Sequence, residues 1–242
     1  MATPNTRGLV VVTGGSGYIA SFCIAELLGD GWRVRATLRN LAHADEVRSS
    51  IGKIASNAET IEFATADLNS DAGWAEALAG ADYVLHIASP VVSLNPKSDE
   101  EIVRPARDGA LRVLKAARDA GVKRVVMTSS IAAIVYGRAM RAEPFTERDW
   151  TDATNPKDTT AYERSKTIAE RAAWTMQKTE GGALELVVVN PALVLGPVLG
   201  ADFSPSLEAI RKLLDRSVPA LPNMGFSIVD VRDVARLHLL AM

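Results

Sequence analysis

A strand-like run that ends in a glycine-rich turn constrains the fold of this chain more than any other feature. Residues 8–13 are Gly-Leu-Val-Val-Val-Thr, a β-branched run that predicts a buried strand. Gly14, Gly15 and Gly17 follow, and a helical spacing of apolar residues runs from 21 to 29. A glycine turn between a buried strand and a helix is the context that a dinucleotide-binding loop requires. The alternative is a glycine-rich turn that binds nothing.

The rest of the chain repeats this alternation of short apolar runs and longer helical patterns. Further strands are predicted at 32–38, 60–66, 83–87, 124–128 and 184–190, and helices at 44–55, 74–78, 100–120 and 160–179. Apolar strands that alternate with helices favour a parallel sheet with helices on both faces. We therefore predict an α/β fold, a doubly wound parallel sheet of the Rossmann type, for a dinucleotide-binding domain over residues 1–195.

The last part of the chain has a different composition. Residues 196–224 are rich in Pro, Gly and Ser and contain a helical stretch at 207–214. A further helix, with acidic residues at its start, is predicted at 232–242. We interpret 196–242 as a small, incomplete C-terminal substrate lobe, a partial substrate-binding region with a returning helix.

Composition and charge limit the classes of function. The 242 residues are 48% hydrophobic and carry a formal net charge of only −2, so we expect no nucleic-acid partner. The single cysteine, Cys23, cannot form an intrachain disulfide and is interpreted as a buried structural thiol. No apolar run reaches the ~18–20 residues that span a bilayer, and the start of the chain lacks the order of a signal peptide. We expect no membrane partner and a cytoplasmic location.

Tyr162 and Lys166 are four residues apart in a predicted helix and therefore share one helix face. A tyrosine hydroxyl is a poor proton donor near neutral pH, but a neighbouring ammonium stabilises the phenolate. The pair is thus a candidate general acid–base device. By itself it is weak evidence, because most such pairs are solvated helix surface. The glycine turn at the start of the chain gives it weight.

The end of the second predicted strand bears on the choice of cofactor. NAD sites commonly have a carboxylate there, which binds the ribose 2′-hydroxyl, whereas this chain has Arg39. A guanidinium suits a 2′-phosphate, so NADP(H) is favoured and NAD(H) is possible. The alternative is that Arg39 is a solvated loop charge. Asp67, after the third strand, either accepts from an adenine amino group or caps the next turn.

Six short motifs occur in an order that is similar to that of a known family. They are Thr13-Gly14-x-x-Gly17-x-x-Ala20, Ala66-Asp67-Leu68, His86-Ile87-Ala88-Ser89-Pro90, Thr128-Ser129-Ser130, Tyr162-x-x-x-Lys166 and Asn190-Pro191. With them, over essentially its whole length, the chain resembles the extended short-chain dehydrogenase/reductases. Residues 33–39, 172–174 and 226–235 point to the branch that contains dihydroflavonol 4-reductase, cinnamoyl-CoA reductase and microbial carbonyl reductases.

The resemblance implies reduction of a ketone or aldehyde carbonyl, a small-molecule substrate, by NADP(H). It makes Tyr162 the proton donor, Lys166 the residue that holds the nicotinamide ribose, and Ser130 the donor to the substrate carbonyl, with no metal. His86 has a structural role in this family. The residues expected to bind cofactor are Thr13, Gly14, Ser16, Gly17, Tyr18, Ile19, Arg39, Asp67, Leu68, Ile87, Ala88, Ser89, Thr128, Ser129, Tyr162, Lys166, Pro191 and Ser206.

Three features depart from the family pattern. Val135 stands where dihydroflavonol reductase has an asparagine, which argues against that activity. Family members often have a second cationic residue that helps to hold the 2′-phosphate. This chain has Asp45 and Glu46 in that region instead, and Arg48 is the candidate replacement. Family members also continue beyond the length of this chain, so we expect an open substrate pocket.

Two other functions stay open at this point. The first is a nucleotide-sugar epimerase or dehydratase that uses NAD on the same scaffold. The second is a nucleotide-binding sensor with weak or no turnover. The resemblance also makes a homodimer possible, through the helix after the fourth strand and the helix that carries Tyr162.

Overall fold

The computed structural model describes residues 7–90, 98–139, 141–200, 204–218 and 225–242. The strands are β1 (Leu9–Val12), β2 (Arg33–Leu38), β3 (Glu62–Thr65), β4 (Tyr83–His86), β5 (Arg124–Thr128), β6 (Glu185–Val189), β7 (Leu193–Leu195) and β8 (Ile228–Asp230). The helices are α1 (Tyr18–Gly29), α2 (Ala44–Ile51), α3 (Trp74–Leu78), α4 (Glu100–Asp119), α5 (Ala161–Glu180), α6 (Pro205–Leu214) and α7 (Val231–Ala241).

The predicted doubly wound parallel sheet is confirmed. Six strands form one sheet in the order β3-β2-β1-β4-β5-β6, and every neighbouring pair is parallel. Val12, the last residue of β1, pairs with Ala36 of β2 on one side and Leu85 of β4 on the other. The order of the chain reverses between β1 and β4, and open α/β sheets bind ligands at the carboxyl ends of the strands at this point.

Two apolar layers enclose the sheet, because successive side chains of a strand point to opposite faces. Val10 and Val12 pack with buried residues of α1, α2 and α7. Val11 packs on the other face with α3, α4 and α5. Cys23 of α1 is fully buried in the first layer, and burial raises the pKa of its thiol above the ordinary range, so the thiol stays neutral. This agrees with its interpretation as a structural residue.

Helix α7 shares the core of the dinucleotide-binding sheet. Val231, Val234 and Ala235 are buried, and the helix packs along α1. The sequence prediction groups this helix with residues 196–242, and the domain boundary itself stays a prediction. In the part of the chain that the structure describes, no helix combines the length and the apolar character needed to cross a bilayer.

A second, two-stranded sheet lies in the last quarter of the chain. β7 and β8 pair in parallel, with Leu193 opposite Ile228 and Leu195 opposite Asp230. The sequence analysis predicts neither strand, because three-residue strands are too short to give a periodic signal. The helix predicted at 207–214 is α6, which begins earlier because Ser204 caps it. Residues 201–203 and 219–224 of the predicted loop-rich stretch lie outside the described residues.

Candidate active site

The glycine turn connects the end of β1 to the start of α1. Gly14 has a φ of +67°, which favours glycine, and a Cβ there would lie 3.0 Å from the Ala88 Cβ. The N–H groups of Gly14 and Gly15 donate to the hydroxyl and the carbonyl of Thr37, at 3.1 and 2.9 Å. The turn is therefore held against β2 and lies close to the segment that follows β4.

Helix α1 begins at Tyr18, earlier than predicted, because Gly17 is its N-cap. Gly17 offers no side-chain cap, and the first turn of the helix has no acidic residue. The first N–H groups of a helix have no intrahelical partner, and with the helix dipole they favour an anion. Ser16, Gly17, Tyr18 and Ile19, all predicted to bind cofactor, thus lie where a pyrophosphate would fit.

A cavity of about 470 Å³ lies beside the glycine turn. Ser16 and Tyr18 border it from the turn and α1, Arg39 from the end of β2, and His43 from the turn before α2. Leu199, which follows β7, also borders it. The carboxyl end of the second strand is where the adenosine ribose of a dinucleotide binds in doubly wound folds. The cavity therefore fits that half of the cofactor.

Arg39 is exposed at this cavity, and its guanidinium has no ion-pair partner among the residues that the structure describes. Arg35, on the strand that Arg39 follows, instead donates through Nε and Nη2 to one oxygen of Glu62, at 3.1 and 2.9 Å. A free guanidinium at the ribose end of the site can bind a phosphate through two parallel hydrogen bonds. This geometry agrees with the 2′-phosphate interpretation.

Arg48, the candidate second cation, has local partners beside the cavity. Its guanidinium donates to Asp45 at 3.1 Å and to the carbonyl of Ile61 at 3.2 Å, and it covers the ring of Phe63. Arg48 is not among the residues that border the cavity, whereas His43 is. Local partners therefore hold two nitrogens of the guanidinium, and a role of Arg48 at the 2′-phosphate stays a prediction.

The hydroxyl of Tyr18 is buried at the wall of the cavity and lacks a hydrogen-bond partner in the described part of the chain. Burial, and then the negative charge of Asp230, raises the pKa of this phenol, so it is a neutral donor. A Cβ on Gly196 would lie 3.2 Å from the Tyr18 hydroxyl oxygen. An unpaired buried hydroxyl at a cavity wall fits a site that a polar ligand completes.

Thr13 links the end of β1 to the end of β4. Its hydroxyl accepts the Ala88 N–H at 3.0 Å and shares a hydrogen bond with His86 Nδ1 at 2.9 Å. His86 is buried, and burial together with the nearby charge of Lys166 lowers its pKa to about 3. The imidazole is neutral at physiological pH and positions Thr13, which is a structural role.

Helix α5 brings the Tyr/Lys pair to the same edge of the sheet. A capping box between Thr160 and Glu163 begins the helix and places Tyr162 in its first turn. Lys166 Nζ donates to the Ser89 hydroxyl at 3.2 Å and lies 5.8 Å from the centre of the Tyr162 ring. Tyr162 is 41% exposed. Its ring is therefore accessible to a small molecule at this edge.

Ser130 follows β5 and caps a short 3-10 turn, Ile131–Ala133. Its Oγ accepts the Ala132 N–H at 3.1 Å and lies 3.5 Å from the carbonyl oxygen of Pro191, which is long for a hydrogen bond between oxygens. The 3-10 turn packs against α5. Ser130 and Tyr162 therefore lie on packed neighbouring elements, and the Ser130 proton is only weakly engaged.

The two residues before Ser130 have interior contacts. The Thr128 hydroxyl donates to His238 Nε2 at 2.7 Å, because His238 Nδ1–H donates to the Val234 carbonyl at 2.7 Å. Ser129 is buried, and its hydroxyl has no partner in the described residues. The predicted cofactor contacts of Thr128 and Ser129 stay predictions.

Asp67, Leu68, Ile87 and Ser206 are further residues predicted to bind cofactor. Asp67 caps its own turn by accepting the Asn69 N–H at 2.9 Å, and a contact with adenine stays a prediction. Leu68 borders a second cavity of only about 20 Å³, and Ile87 directly follows β4. Ser206 lies in the first turn of α6 but does not border the larger cavity, so its phosphate contact stays a prediction.

Several residues at the larger cavity were not predicted from the sequence, and His43 and Leu199 are two of them. His43 comes directly before α2, whereas Leu199 follows β7 and is far from α2 in the sequence. The Lys53 ammonium donates to the Leu199 carbonyl and joins the two regions. No local pattern marks either residue, because only the tertiary contact between α2 and the segment after β7 creates this wall.

Together the sheet, the glycine turn and the Ser/Tyr/Lys set define a dinucleotide-binding α/β protein of the oxidoreductase kind. Residues 10–242 match the NAD dependent epimerase/dehydratase family. The chain therefore belongs to this family, which the sequence analysis identifies as the extended short-chain dehydrogenase/reductases.

Known relatives place the chain within the family. It is 36% identical to cinnamoyl-CoA reductase CAD2 of Medicago truncatula, over 100% of this chain and 74% of that protein. It is 39% identical to cinnamoyl-CoA reductase 1 of Arabidopsis thaliana, over 96% of this chain and 65% of that protein. Its structure matches that of the yeast methylglyoxal/isovaleraldehyde reductase Gre2 complexed with NADPH, with a TM-score of 0.85 and 28% identity, over 97% of this chain and 74% of that one.

Proposed function

We propose that this protein is an NADP(H)-dependent oxidoreductase that reduces a ketone or aldehyde carbonyl to an alcohol, acting on CH–OH donors in the reverse direction. The observation that carries the proposal is the position of Lys166, whose ammonium bonds Ser89 beside the glycine turn while its helix presents Tyr162 to the same edge. The relatives described above include reductases of carbonyl compounds and one structure that contains NADPH.

The residues of this chain suit the cofactor. The uncapped start of α1 and the glycine turn would bind the pyrophosphate, and Arg39 would bind the 2′-phosphate. Lys166 and Ser89 would hold the nicotinamide ribose. When bound, the nicotinamide supplies the hydride.

Side chains of this protein would donate the proton to the substrate and stabilise the negative charge that develops on its carbonyl oxygen. Tyr162 donates its proton to the carbonyl oxygen as that oxygen becomes an alkoxide, and the Lys166 ammonium stabilises the phenolate that remains. Ser130 donates a second hydrogen bond to the same oxygen. A donor that is already oriented toward a developing oxyanion contributes about 3–4 kcal/mol to transition-state stabilisation.

The alternative functions have less support. An NAD-dependent epimerase is not favoured, because the residue that directly follows β2 is Arg39 and not a carboxylate. A sensor without turnover has no reason to keep Ser130, Tyr162 and Lys166 together at one edge. Val135 continues to argue against dihydroflavonol as the substrate.

A substrate panel tests the proposal. Purified protein is mixed with NADPH and with aryl ketones, diketones, aldehydes and cinnamoyl-CoA, and NADPH oxidation is followed together with the identity of the product. We expect an alcohol from at least one ketone or aldehyde. Tight NADPH binding without turnover on any carbonyl would favour the sensor. A nicotinamide absorbance that persists through purification, with conversion of a nucleotide sugar, would favour the epimerase.

Partners and location complete the proposal. We infer a small-molecule carbonyl substrate, no nucleic-acid or membrane partner, and a cytoplasmic location, which the single cysteine and the small net charge support. A homodimer would use α4 and α5, which pack together on one face of the sheet. Sedimentation analysis of the wild-type protein would separate monomer from dimer.

A further inference from the structure

Glu170 is a buried carboxylate that the proposed mechanism does not use. It lies on α5, one helical turn after Lys166, and is only 5% exposed. Its two oxygens accept hydrogen bonds from neutral donors, Asn190 Nδ2 at 2.8 Å and Trp174 Nε1 at 3.4 Å. Burying a carboxylate is unfavourable unless hydrogen bonds compensate, so these contacts explain how it is tolerated.

Asn190 connects this carboxylate to the backbone of Ser130. It follows β6, and its Nδ2 donates to Glu170 Oε2 and also to the Ser130 carbonyl, at 3.1 Å. Both neighbours are acceptors only, so the orientation of the Asn190 amide is fixed by its partners. One amide group thus joins α5 to the residue that is expected to donate to the substrate carbonyl.

The connection matters because the three proposed catalytic residues come from two separate elements. Tyr162, Lys166 and Glu170 recur every four residues along one face of α5. Ser130 lies on the segment after β5, and the described contacts of its own hydroxyl are with the neighbouring Ala132 N–H and, weakly, with the Pro191 carbonyl. Misplacement of a reacting group by about 1 Å can cost about 100-fold in rate.

We propose that Glu170 and Asn190 are positioning residues for carbonyl reduction. Through the chain Glu170–Asn190–Ser130 they hold the serine at a fixed distance from Tyr162 and Lys166. This inference rests on the proposed function, and neither side chain touches the reacting atoms.

Two variants remove the connection with little change of volume. Asn190→Leu removes both donated hydrogen bonds, and Glu170→Leu removes the acceptor on α5. Gln177→Leu is the matched control: Gln177 lies on the same helix, and its Nε2 donates to the Leu184 carbonyl just before β6, at 3.2 Å. Gln177→Leu therefore also removes a hydrogen bond between α5 and a residue next to β6. This bond lies at the start of β6, whereas Asn190 lies after its end, beside the site.

The first readout does not depend on turnover. Hydrogen–deuterium exchange of the peptide covering residues 129–135 is compared in the wild-type protein and the variants. We expect faster exchange in Asn190→Leu and Glu170→Leu, and wild-type exchange in Gln177→Leu. Unchanged exchange in both test variants would overturn the inference, whatever the enzyme reduces.

The second readout is a double-mutant cycle with Ser130→Ala. We expect Asn190→Leu to lower kcat by about 10- to 100-fold while KM and the Kd for NADPH change by less than about twofold. In the Ser130→Ala background, the same substitution should change kcat by less than about threefold, because residues that act through one another are not additive. A full additional loss in that background would overturn the positioning role. Faster exchange in a protein that reduces no carbonyl would reject the proposed function, and with it the catalytic part of this inference.

Discussion

The ammonium of Lys166 donates a hydrogen bond to the hydroxyl of Ser89, over 3.2 Å. Lys166 belongs to α5, and Ser89 follows β4, so this bond connects the acid–base helix to the sheet edge. Ala88, next to Ser89, is bonded to the Thr13 hydroxyl and lies against Gly14. A continuous series of contacts therefore runs from the dinucleotide turn to the proposed catalytic pair.

Replacement of the proposed proton donor gives the first prediction. We expect Tyr162→Phe to lower the rate of carbonyl reduction by about 100-fold or more, because the general acid is lost. The Kd for NADPH should change by less than about twofold, since the ring and Lys166 remain. Stopped-flow hydride transfer and fluorescence titration measure the two quantities. Tyr83→Phe, on β4 and packed against Trp32, is the control; equal rates in the two variants would remove Tyr162 from the mechanism.

A second prediction concerns recognition of the 2′-phosphate. We expect Arg39→Ala to raise the Kd for NADPH by about 10- to 100-fold, as hydrogen bonds between charged groups are worth about 1.5–3 kcal/mol. The Kd for NADH should change by less than about threefold. Isothermal titration with both cofactors measures this, with Arg33→Ala as control, because Arg33 begins β2, at the end opposite to Arg39, and pairs with Glu62. Equal weakening of both cofactors would show that Arg39 does not contact the 2′-phosphate.

The glycine turn allows a matched pair of substitutions. Gly14 and Gly31 both have positive φ, +67° and +78°, but a Cβ at Gly31 would meet nothing within 4 Å. Gly31→Ala should therefore cost about 1–2 kcal/mol of unfolding free energy through the backbone alone. Gly14→Ala should cost more, because of the contact with Ala88, and should also weaken NADPH binding. Urea unfolding and cofactor titration separate these effects; equal loss of affinity in both variants would contradict the role of Gly14.

Because two histidines are buried, we expect the free energy of unfolding to decrease in mild acid. Burial lowers the pKa of His86, to about 3, and also lowers the pKa of His238. The unfolded chain takes up these protons below about pH 6.5, while burial opposes protonation of both rings in the folded state. Stability is therefore lost as the pH falls from about 6.5 toward the folded pKa values. For His86 alone, the expected loss between pH 7 and pH 5 is about 2 kcal/mol.

Urea unfolding at these two pH values tests this prediction. His86→Asn keeps a hydrogen-bonding group beside the Thr13 hydroxyl and removes one titrating ring, so the loss in acid should be smaller by about 2 kcal/mol. His43→Asn is the control, since His43 lies on the surface. An acid response in His86→Asn as large as in the wild-type protein would show that His86 is not the responsible group.

Much of the fold follows from local patterns. The six strands of the main sheet and the helices between them have the predicted order, and differ mainly at their ends, where caps such as Gly17 and Ser204 decide the first residue. β7 and β8 were not predicted, because each is only three residues long and is stabilised by pairing with the other.

Only some residues of the candidate site could be predicted from the sequence. Gly14, Gly17, Tyr162 and Lys166 could be identified because each belongs to a motif whose spacing has a physical meaning. The contact of Arg48 with the Ile61 carbonyl could not be predicted, since the two residues belong to different parts of the chain, and its role at the 2′-phosphate stays a prediction. His43 could not be identified, because a single histidine before a helix has no distinguishing pattern.

The sequence by itself determined an alternating α/β chain, a glycine turn suited to a diphosphate and a tyrosine–lysine pair on one helix face, because these depend on residues that are close in the chain. Only the tertiary structure decided that Lys166 reaches Ser89, that Asn190 joins Glu170 to Ser130, and that the segment after β7 borders the cavity at Arg39. Those contacts depend on the order of the strands and on how the helices pack across them, which local spacing does not specify.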